Sequence, residues 1–473
     1  MEFGSIINGQ QVFSGKWLDV YNPYHQKKVG RVSTIDARTT EKILRDSHAI
    51  KINLTRYERY QILNRMADAI DRNAVVISKM ITDESGLSIK DTTYEASRVS
   101  DVIRFSAIKT MEDDSQVFPC DISKNGKKRR IYTTRYPLKL IAAITPFNHP
   151  MNQVVHKIAP AIATNNKVVL KPSEKTPLSA YYFAQLALEC GVPAGMINVI
   201  NGDSTEVAEQ MVKSDLVSLV TFTGSSEIGK RIAKNAGYKK LILELGGSSA
   251  LIVLPDADLY EAADITVAGV FKNSGQRCSS IRRLLVHRDI ADDFAKILVE
   301  KTQAIKYGDP YDPNTDMGTI ISEEAAKQIE IRISATITQG AKCLIGHKRI
   351  GATYSPTVLD NVENHYAVIA QETFGPVAPI IRFDTLDQAI AIANDSPYGL
   401  SGAVVSNHWP SIQRVITELD TGTINVNEAP GYRLEWTPFG GVKDSGLGYK
   451  EGVIETMKAY TNVKTYSLPW DTP

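Results

Sequence analysis

Leu140-Ile141-Ala142-Ala143-Ile144 is a short apolar run closed by Thr145-Pro146. Further runs of this kind follow at 167–170, 196–199 and 219–222, with amphipathic helical stretches between them. Apolar runs of strand length that alternate with helices indicate βαβ units, and hence a parallel sheet with helices on its faces. A second alternating region extends from 250 to about 426. The chain therefore reads as α/β, with two α/β domains.

Upstream of the first run the texture is helical. From 36 to about 110, apolar positions such as Ile62, Met66, Ile70, Val75, Ile77 and Ile81 recur at three to five residues between charges. Residues 116–136 lie between the two textures. Asn125-Gly126 stands there among strand-like residues, a strong hairpin signal. The basic run Lys127-Lys128-Arg129-Arg130 is either an anion-binding patch or the solvated arm of that hairpin. The near-zero charge of the whole chain favours the arm.

Composition narrows the function. A chain of 473 residues exceeds one ordinary core. Its 43% hydrophobic and 23% charged content is that of a soluble globular protein, and its formal charge of +1 gives no electrostatic case for nucleic acid or an anionic membrane. The first thirty residues lack a signal-peptide core, and the most apolar stretch, 241–254, is interrupted by Glu244, Gly246 and Gly247. Cys120, Cys190, Cys278 and Cys343 are scattered, with no C-x-x-C pair, and the eight histidines show no ligand spacing. No metal is expected, and a reducing, cytoplasmic setting is.

Cys278 ends Asn273-Ser274-Gly275-Gln276-Arg277-Cys278, and Glu244 lies in Leu243-Glu244-Leu245-Gly246-Gly247. A thiolate on a glycine-containing turn can attack a carbonyl, and a separate carboxylate can activate the water that releases the acyl group. Together they suggest aldehyde oxidation through a covalent thioester. Either residue alone reads more simply, as a small buried hydrophobe and a solvated or paired carboxylate. Other segments shift that balance: Ile144-Thr145-Pro146-Phe147-Asn148-His149-Pro150, Lys171-Pro172-Ser173-Glu174, Phe222-Thr223-Gly224-Ser225-Ser226-Glu227-Ile228-Gly229-Lys230 and Glu372-Thr373-Phe374-Gly375-Pro376. With these, in this order and spacing, nearly the whole chain resembles the NAD(P)-dependent aldehyde dehydrogenase superfamily.

The resemblance implies a fold of two Rossmann-like α/β domains plus a small β oligomerisation arm. It places an NAD-binding domain at 1–115 and 138–247, a catalytic domain at 248–448 and the arm at 116–137 and 449–473. The arm would extend one subunit's sheet into a neighbour, giving a homodimer or homotetramer. It makes Cys278 the nucleophile, Glu244 the deacylation base and Asn148, with the Cys278 N–H, the oxyanion donor. Arg277 would help to hold the thiolate. Thr145, Phe147, Lys171, Ser173, Glu174, Gly224, Ser225, Gly246, Glu372 and Phe374 become cofactor contacts. Among these, Glu372 would hold the nicotinamide ribose, and Phe374 would support the ring or serve as a core aromatic. There is no G-x-G-x-x-G; Gly224 to Gly229 gives G-x-x-x-x-G before a helix whose N-terminus can receive a pyrophosphate. Glu174 would accept the adenosine ribose hydroxyls and repel a 2′-phosphate, which favours NAD over NADP.

Substrate choice depends on the surroundings of Cys278. His149, Arg277, Arg98 on a helix spanning about 91–108, and Arg433 give several cationic donors, which suits a small anionic aldehyde. Each also has a structural reading: Arg98 as partner of Glu95, His149 as a turn histidine. The set more closely resembles the phosphonoacetaldehyde dehydrogenase subgroup. Matching stretches include Leu54-Thr55-Arg56-Tyr57-Glu58-Arg59, Phe118-Pro119-Cys120-Asp121, Pro430-Gly431-Tyr432-Arg433 and the tail from Tyr449 to Trp470. This implies Arg98, His149 and Arg277 as the phosphonate-binding set. Phosphonoformaldehyde, lactaldehyde, sulfoacetaldehyde and succinate semialdehyde are rivals, as are acyl transfer to coenzyme A and a catalytically silent member. One departure is local: Ser248-Ser249 follows Gly247 where an Asn-Asp or Asn-Pro type of continuation is commoner, beside the water that Glu244 would activate.

Overall fold

The structure, a computed structural model, describes residues 1–470. Strand Leu140–Ile144 is buried on both faces, as an unbroken apolar run requires. Leu140, Ala142 and Ile144 face one core, with Ile43, Met211 and Ile232 of the helices Ala37–Ala49, Ser204–Lys213 and Ser226–Asn235. Ile141 and Ala143 face the other, with Met66, Val99, Ile158 and Tyr181. The strand belongs to a seven-stranded sheet ordered Lys240–Glu244, Leu219–Thr223, Leu140–Ile144, Lys167–Lys171, Ile197–Val199, Ser5–Ile7, Gln10–Val12. The first five strands are parallel, and the two N-terminal ones run antiparallel at one edge.

A second seven-stranded sheet runs Lys342–Ile345, Thr357–Asp360, Val377–Phe383, Ile281–His287, Ser249–Val253, Ser401–Val405, Thr423–Val426, parallel except at the first pair. It also separates two cores, Leu251, Val253 and Leu284 on one face, Ile252 and Leu285 on the other. This is the α/β architecture that the alternating runs predict.

The helical region resolves into Arg56–Arg72, Ala74–Ser85 and Ile89–Thr110. Thr55 and Glu58 form a capping box at the first, Gly86 ends the second in the left-handed conformation, and Ser88 caps the third. Strands Val117–Pro119, Arg129–Pro137 and Thr461–Pro469 form a separate antiparallel sheet, the last exposed in all but its first residue. The hairpin is present, but Asn125-Gly126 is not a two-residue turn between paired strands. Pairing stops at Pro119↔Arg130, and residues 120–128 form a longer loop in which Lys127 N donates to Cys120 O. The last residues of the expected arm, 471–473, lie outside the described residues.

The fold brings the singled-out residues together because adjacent parallel strands end on one edge. Ile144, Lys171, Thr223 and Glu244 are carboxyl ends of neighbouring strands in the first sheet, and Asn148, Glu174, Gly224 and Gly246 follow them directly. Crevices at such edges are where α/β sheets bind ligands.

Candidate active site

Cys278 is carried by an unusual turn. Helix Leu259–Phe271 leads into it. Asn273, Ser274 and Gly275 then take φ of 60°, 54° and 70°, three left-handed residues in succession. Such backbone is costly outside glycine and persists when its surroundings hold it. Here Asn273 N donates to Asp91 Oδ2 at 3.0 Å, and Asn273 Nδ2 donates to Asn148 O at 2.9 Å. From the other side, buried Arg282 donates to the carbonyls of Gly275 (2.7 Å), Gly375 (3.0 Å) and Arg277 (3.1 Å). A side chain at Gly275 would collide with the Gly375 backbone.

The half-buried Cys278 thiol is pushed up to about 11. Burial is the main cause; Glu244 and Glu372 add to it, while Arg433 and Arg277 oppose it. The expected thiolate support from Arg277 is therefore present but outweighed. Asn148 Nδ2 donates to Gln276 O at 2.9 Å, two residues before the thiol, and its second amide hydrogen is not used in that bond.

Glu244 is buried, and among the described residues neither of its oxygens has a hydrogen-bond partner. Burial raises its carboxyl well above the usual range, and the nearby Glu451 carboxylate adds to this. Glu451 is itself committed to buried Lys157, whose Nζ lies 2.6 Å from Glu451 Oε1 and 2.9 Å from Thr221 Oγ1. A buried carboxylate with free lone pairs and raised basicity can take a proton from water.

A cleft of about 420 Å³ opens along the strand ends, lined by Thr145, Phe147, Lys171, Ser173, Glu174, Gly224 and Ser225. Lys171 and Ser204 both bond the Glu174 carboxylate. Burial alone would raise Glu174, but Lys171 holds it below its ordinary value. Ser225 caps helix Ser226–Asn235, whose N-terminus faces this cleft. Outside this lining, Glu372 Oε1 accepts from Gly247 N at 3.1 Å, and a Cβ on Gly246 would come within 2.5 Å of Glu372 Oε2. The Phe147 and Phe374 rings meet edge to face at 5.9 Å, which brings the segment carrying Glu372 up to the Phe147 wall of the cleft. A cleft faced by a helix N-terminus, with the Glu174 carboxylate in its wall, fits a dinucleotide. Ser204, Glu209 and Arg231 also line it, and Arg231 pairs with Glu209 at 3.3 Å. Ser204 and Glu209 lie on helix Ser204–Lys213, outside the motifs, and Arg231 directly follows the motif that ends at Lys230; no sequence pattern singled out any of the three.

A second cleft, of about 360 Å³, gathers Arg98, His149, Arg277 and Arg433. Arg98 does not pair with Glu95, the partner that helix spacing suggests. Glu95 Oε1 instead accepts from Met151 N (3.0 Å) and Asn152 N (2.9 Å), capping helix Pro150–Ala163, and Oε2 lies 3.5 Å from His149 Nδ1. The ion pair of Arg98 is with Glu435, which also bonds His156 at 2.5 Å. Burial would raise the Glu435 carboxyl, but His156, Arg433 and Arg98 hold it far below the carboxylate range. The Arg277 guanidinium lies against Gly431, and burial, with Arg98 beside it, depresses its pKa. Arg433 stacks 4.0 Å from the Phe439 ring centroid. Among the described residues neither Arg277 nor Arg433 has a carboxylate within ion-pair distance. Burial also depresses the His149 imidazole.

The aldehyde dehydrogenase family model matches residues 11–466. A 3-sulfolactaldehyde dehydrogenase of Priestia aryabhattai is 36% identical over 460 residues, covering 96% of each chain. A lactaldehyde dehydrogenase of Methanococcus maripaludis is also 36% identical, covering 95% of this chain and 98% of its own. In structure, the glyceraldehyde-3-phosphate dehydrogenase GapN of Methanocaldococcus jannaschii, complexed with NADP, superposes with a TM-score of 0.92 at 35% identity, covering 96% of this chain and 99% of its own. The names of these relatives carry the aldehyde chemistry expected here, but not the phosphonoacetaldehyde expected from the subgroup.

Proposed function

The chain belongs to the aldehyde dehydrogenase family, and on that premise we propose that it oxidises a small aldehyde with an anionic head group: phosphonoacetaldehyde + NAD⁺ + H₂O → phosphonoacetate + NADH + 2 H⁺. The observation that carries the head group is the pair Arg277 and Arg433, two guanidiniums with no carboxylate of their own in one cleft beside the thiol. A buried charge without a counterion is costly, and guanidinium forks suit a tetrahedral oxyanion.

Cys278 Sγ attacks the aldehyde carbon as the thiolate. The Asn148 amide and the Cys278 N–H hold the oxygen that becomes negative. NAD, when bound, would take the hydride that leaves the adduct carbon to give the thioester; Glu372, Phe374 and Phe147 would hold its nicotinamide end, and Lys171, Ser173 and Glu174 its adenosine end. Glu244 then takes a proton from water as that water attacks the thioester, returning Cys278 and releasing the acid. The preference for NAD rests on Glu174, whose charge opposes a 2′-phosphate, and on Glu209, which pairs with the lining Arg231. Residues 1–115 and 138–247 serve the nucleotide and 248–448 the thiol. The exposed strand Thr461–Pro469 serves assembly into a homodimer or homotetramer.

The relatives favour a second reading, 3-sulfolactaldehyde or lactaldehyde: a sulfonate has the same tetrahedral shape with one charge fewer. NADH formation measured with phosphonoacetaldehyde, phosphonoformaldehyde, 3-sulfolactaldehyde, lactaldehyde and succinate semialdehyde decides between them. Running each with and without coenzyme A tests the acceptor. A higher kcat/KM for lactaldehyde than for every charged substrate would remove the head-group reading.

A further inference from the structure

We infer that Lys272 is a further head-group residue, a specificity-determining cation that favours dianionic over monoanionic aldehydes. The inference rests on the anionic-substrate reading above and deepens it.

Lys272 is the first residue after helix Leu259–Phe271, and its side chain lines the same cleft as Arg98, Arg277 and Arg433. Its ammonium sits 3.3 Å from the centroid of the Tyr94 ring, which comes from helix Ile89–Thr110 on the opposite wall. A cation–π contact holds an ammonium in place without cancelling its charge. Among the described residues no carboxylate lies within ion-pair distance of Lys272. The anion that acts on it is Asp91, and that carboxylate is already engaged: its Oδ2 accepts from Asn273 N at 3.0 Å and lies 3.1 Å from Ser88 Oγ. Glu428, also in the lining, turns back to accept from Ala429 N at 2.7 Å, and Asp101 is exposed. Glu435 is taken by Arg98 and His156.

Three cations therefore face one cleft without a carboxylate each: Arg277, Arg433 and Lys272. Part-buried like charges repel, and burial and Arg277 both depress Lys272. A ligand with a single negative charge leaves most of that repulsion in place. A doubly charged oxyanion relieves it and offers an acceptor oxygen to each cation. The two arginines provide fixed, planar forks, whereas Lys272 provides a point charge on a flexible stem, able to leave the Tyr94 face for the ligand.

The test uses two tetrahedral probes of equal shape and different charge, methylphosphonate and methanesulfonate, as inhibitors of propionaldehyde oxidation by the full-length enzyme. They are measured at mildly alkaline pH, where methylphosphonate is dianionic. Lys272→Gln is expected to raise the inhibition constant of methylphosphonate about tenfold or more, the weight of one charge-assisted hydrogen bond. It should raise that of methanesulfonate by clearly less, and Lys272→Arg should restore most of the difference. An unchanged methylphosphonate constant overturns the proposal. So do equal shifts for both probes accompanied by a lower melting temperature, which would make Lys272 a packing partner of Tyr94. If the probes respond as expected while phosphonoacetaldehyde is not oxidised, Lys272 stands and the substrate reading falls.

Discussion

Arg98→Ala removes the ion-pair partner of the Glu435 carboxylate and leaves its hydrogen bond to His156. Two losses follow. The cleft loses a donor, and a carboxylate with only 6% of its side chain exposed is left beside the incoming anion without its ion-pair partner. A hydrogen bond to a charged group contributes about 1.5–3 kcal/mol. Truncating one partner of a buried charge pair costs about 2–5 kcal/mol, much of it the penalty on the survivor. The selectivity ratio, kcat/KM for phosphonoacetaldehyde over that for propionaldehyde, should therefore fall by roughly a hundredfold. The distinctive expectation is the double variant. Arg98→Ala/Glu435→Gln lacks the same donor but carries no stranded charge, so the ratio should recover by about tenfold, a coupling within the usual range for residues in contact. Steady-state NADH absorbance with the two aldehydes gives every term. A double variant no better than Arg98→Ala would refute the idea that the head group senses Glu435. Equal losses for both aldehydes would return Arg98 to a structural role.

Cys278→Ala should abolish aldehyde oxidation while NAD binding, followed by calorimetry, survives; turnover at the wild-type rate would exclude the covalent route. Glu244→Gln should let the acyl group accumulate on Cys278, visible by intact mass spectrometry after rapid quench. The raised Glu244 carboxyl also fixes a pH dependence: its ionised form is the base, so deacylation in the wild type should climb with pH above the ordinary carboxylate range, and this limb should vanish in Glu244→Gln. Because the Glu244 charge pushes the thiol up, Glu244→Gln should also bring Cys278 down from about 11 and quicken its alkylation by iodoacetamide at mildly alkaline pH, and unchanged alkylation would contradict that coupling. NAD should be preferred over NADP by at least about tenfold, and Glu174→Gln should narrow the gap; equal kcat/KM with both cofactors in the wild type would contradict the reading of Glu174.

The strand runs were legible because an unbroken apolar pentamer such as 140–144 has only one economical place, a sheet covered on both faces. Asn148, Glu174 and Glu244 were legible through the motifs that carry the family resemblance, and the sheet explains why those motifs meet, each lying at or shortly after the carboxyl end of a strand. The partnership of Arg98 was not. Spacing along one helix pointed to Glu95, whereas the real partner, Glu435, is 337 residues away in sequence, in the segment that follows the last strand of the second sheet. Lys272 was missed because a helix-end lysine is ordinarily a solvated, dipole-matching residue, and only the packing of the Tyr94 helix turns it inward. Asn125-Gly126 misled in the opposite sense: a strong local turn signal was overridden by strands that begin to pair only outside it.

The left-handed turn at Asn273, Ser274 and Gly275 has a consequence for how this enzyme would respond to selection in the laboratory. Its shape depends on Asp91, Asn148, Arg282 and the Gly375 backbone, so nearly every replacement there disturbs several supports at once. Much of the head-group cleft, by contrast, comes from one face of helix Ile89–Thr110 and the segment 428–435, where exposed Tyr432 and Leu434 are free to vary. Libraries selected on a new aldehyde should enrich changes at these positions and return 273–275 unaltered.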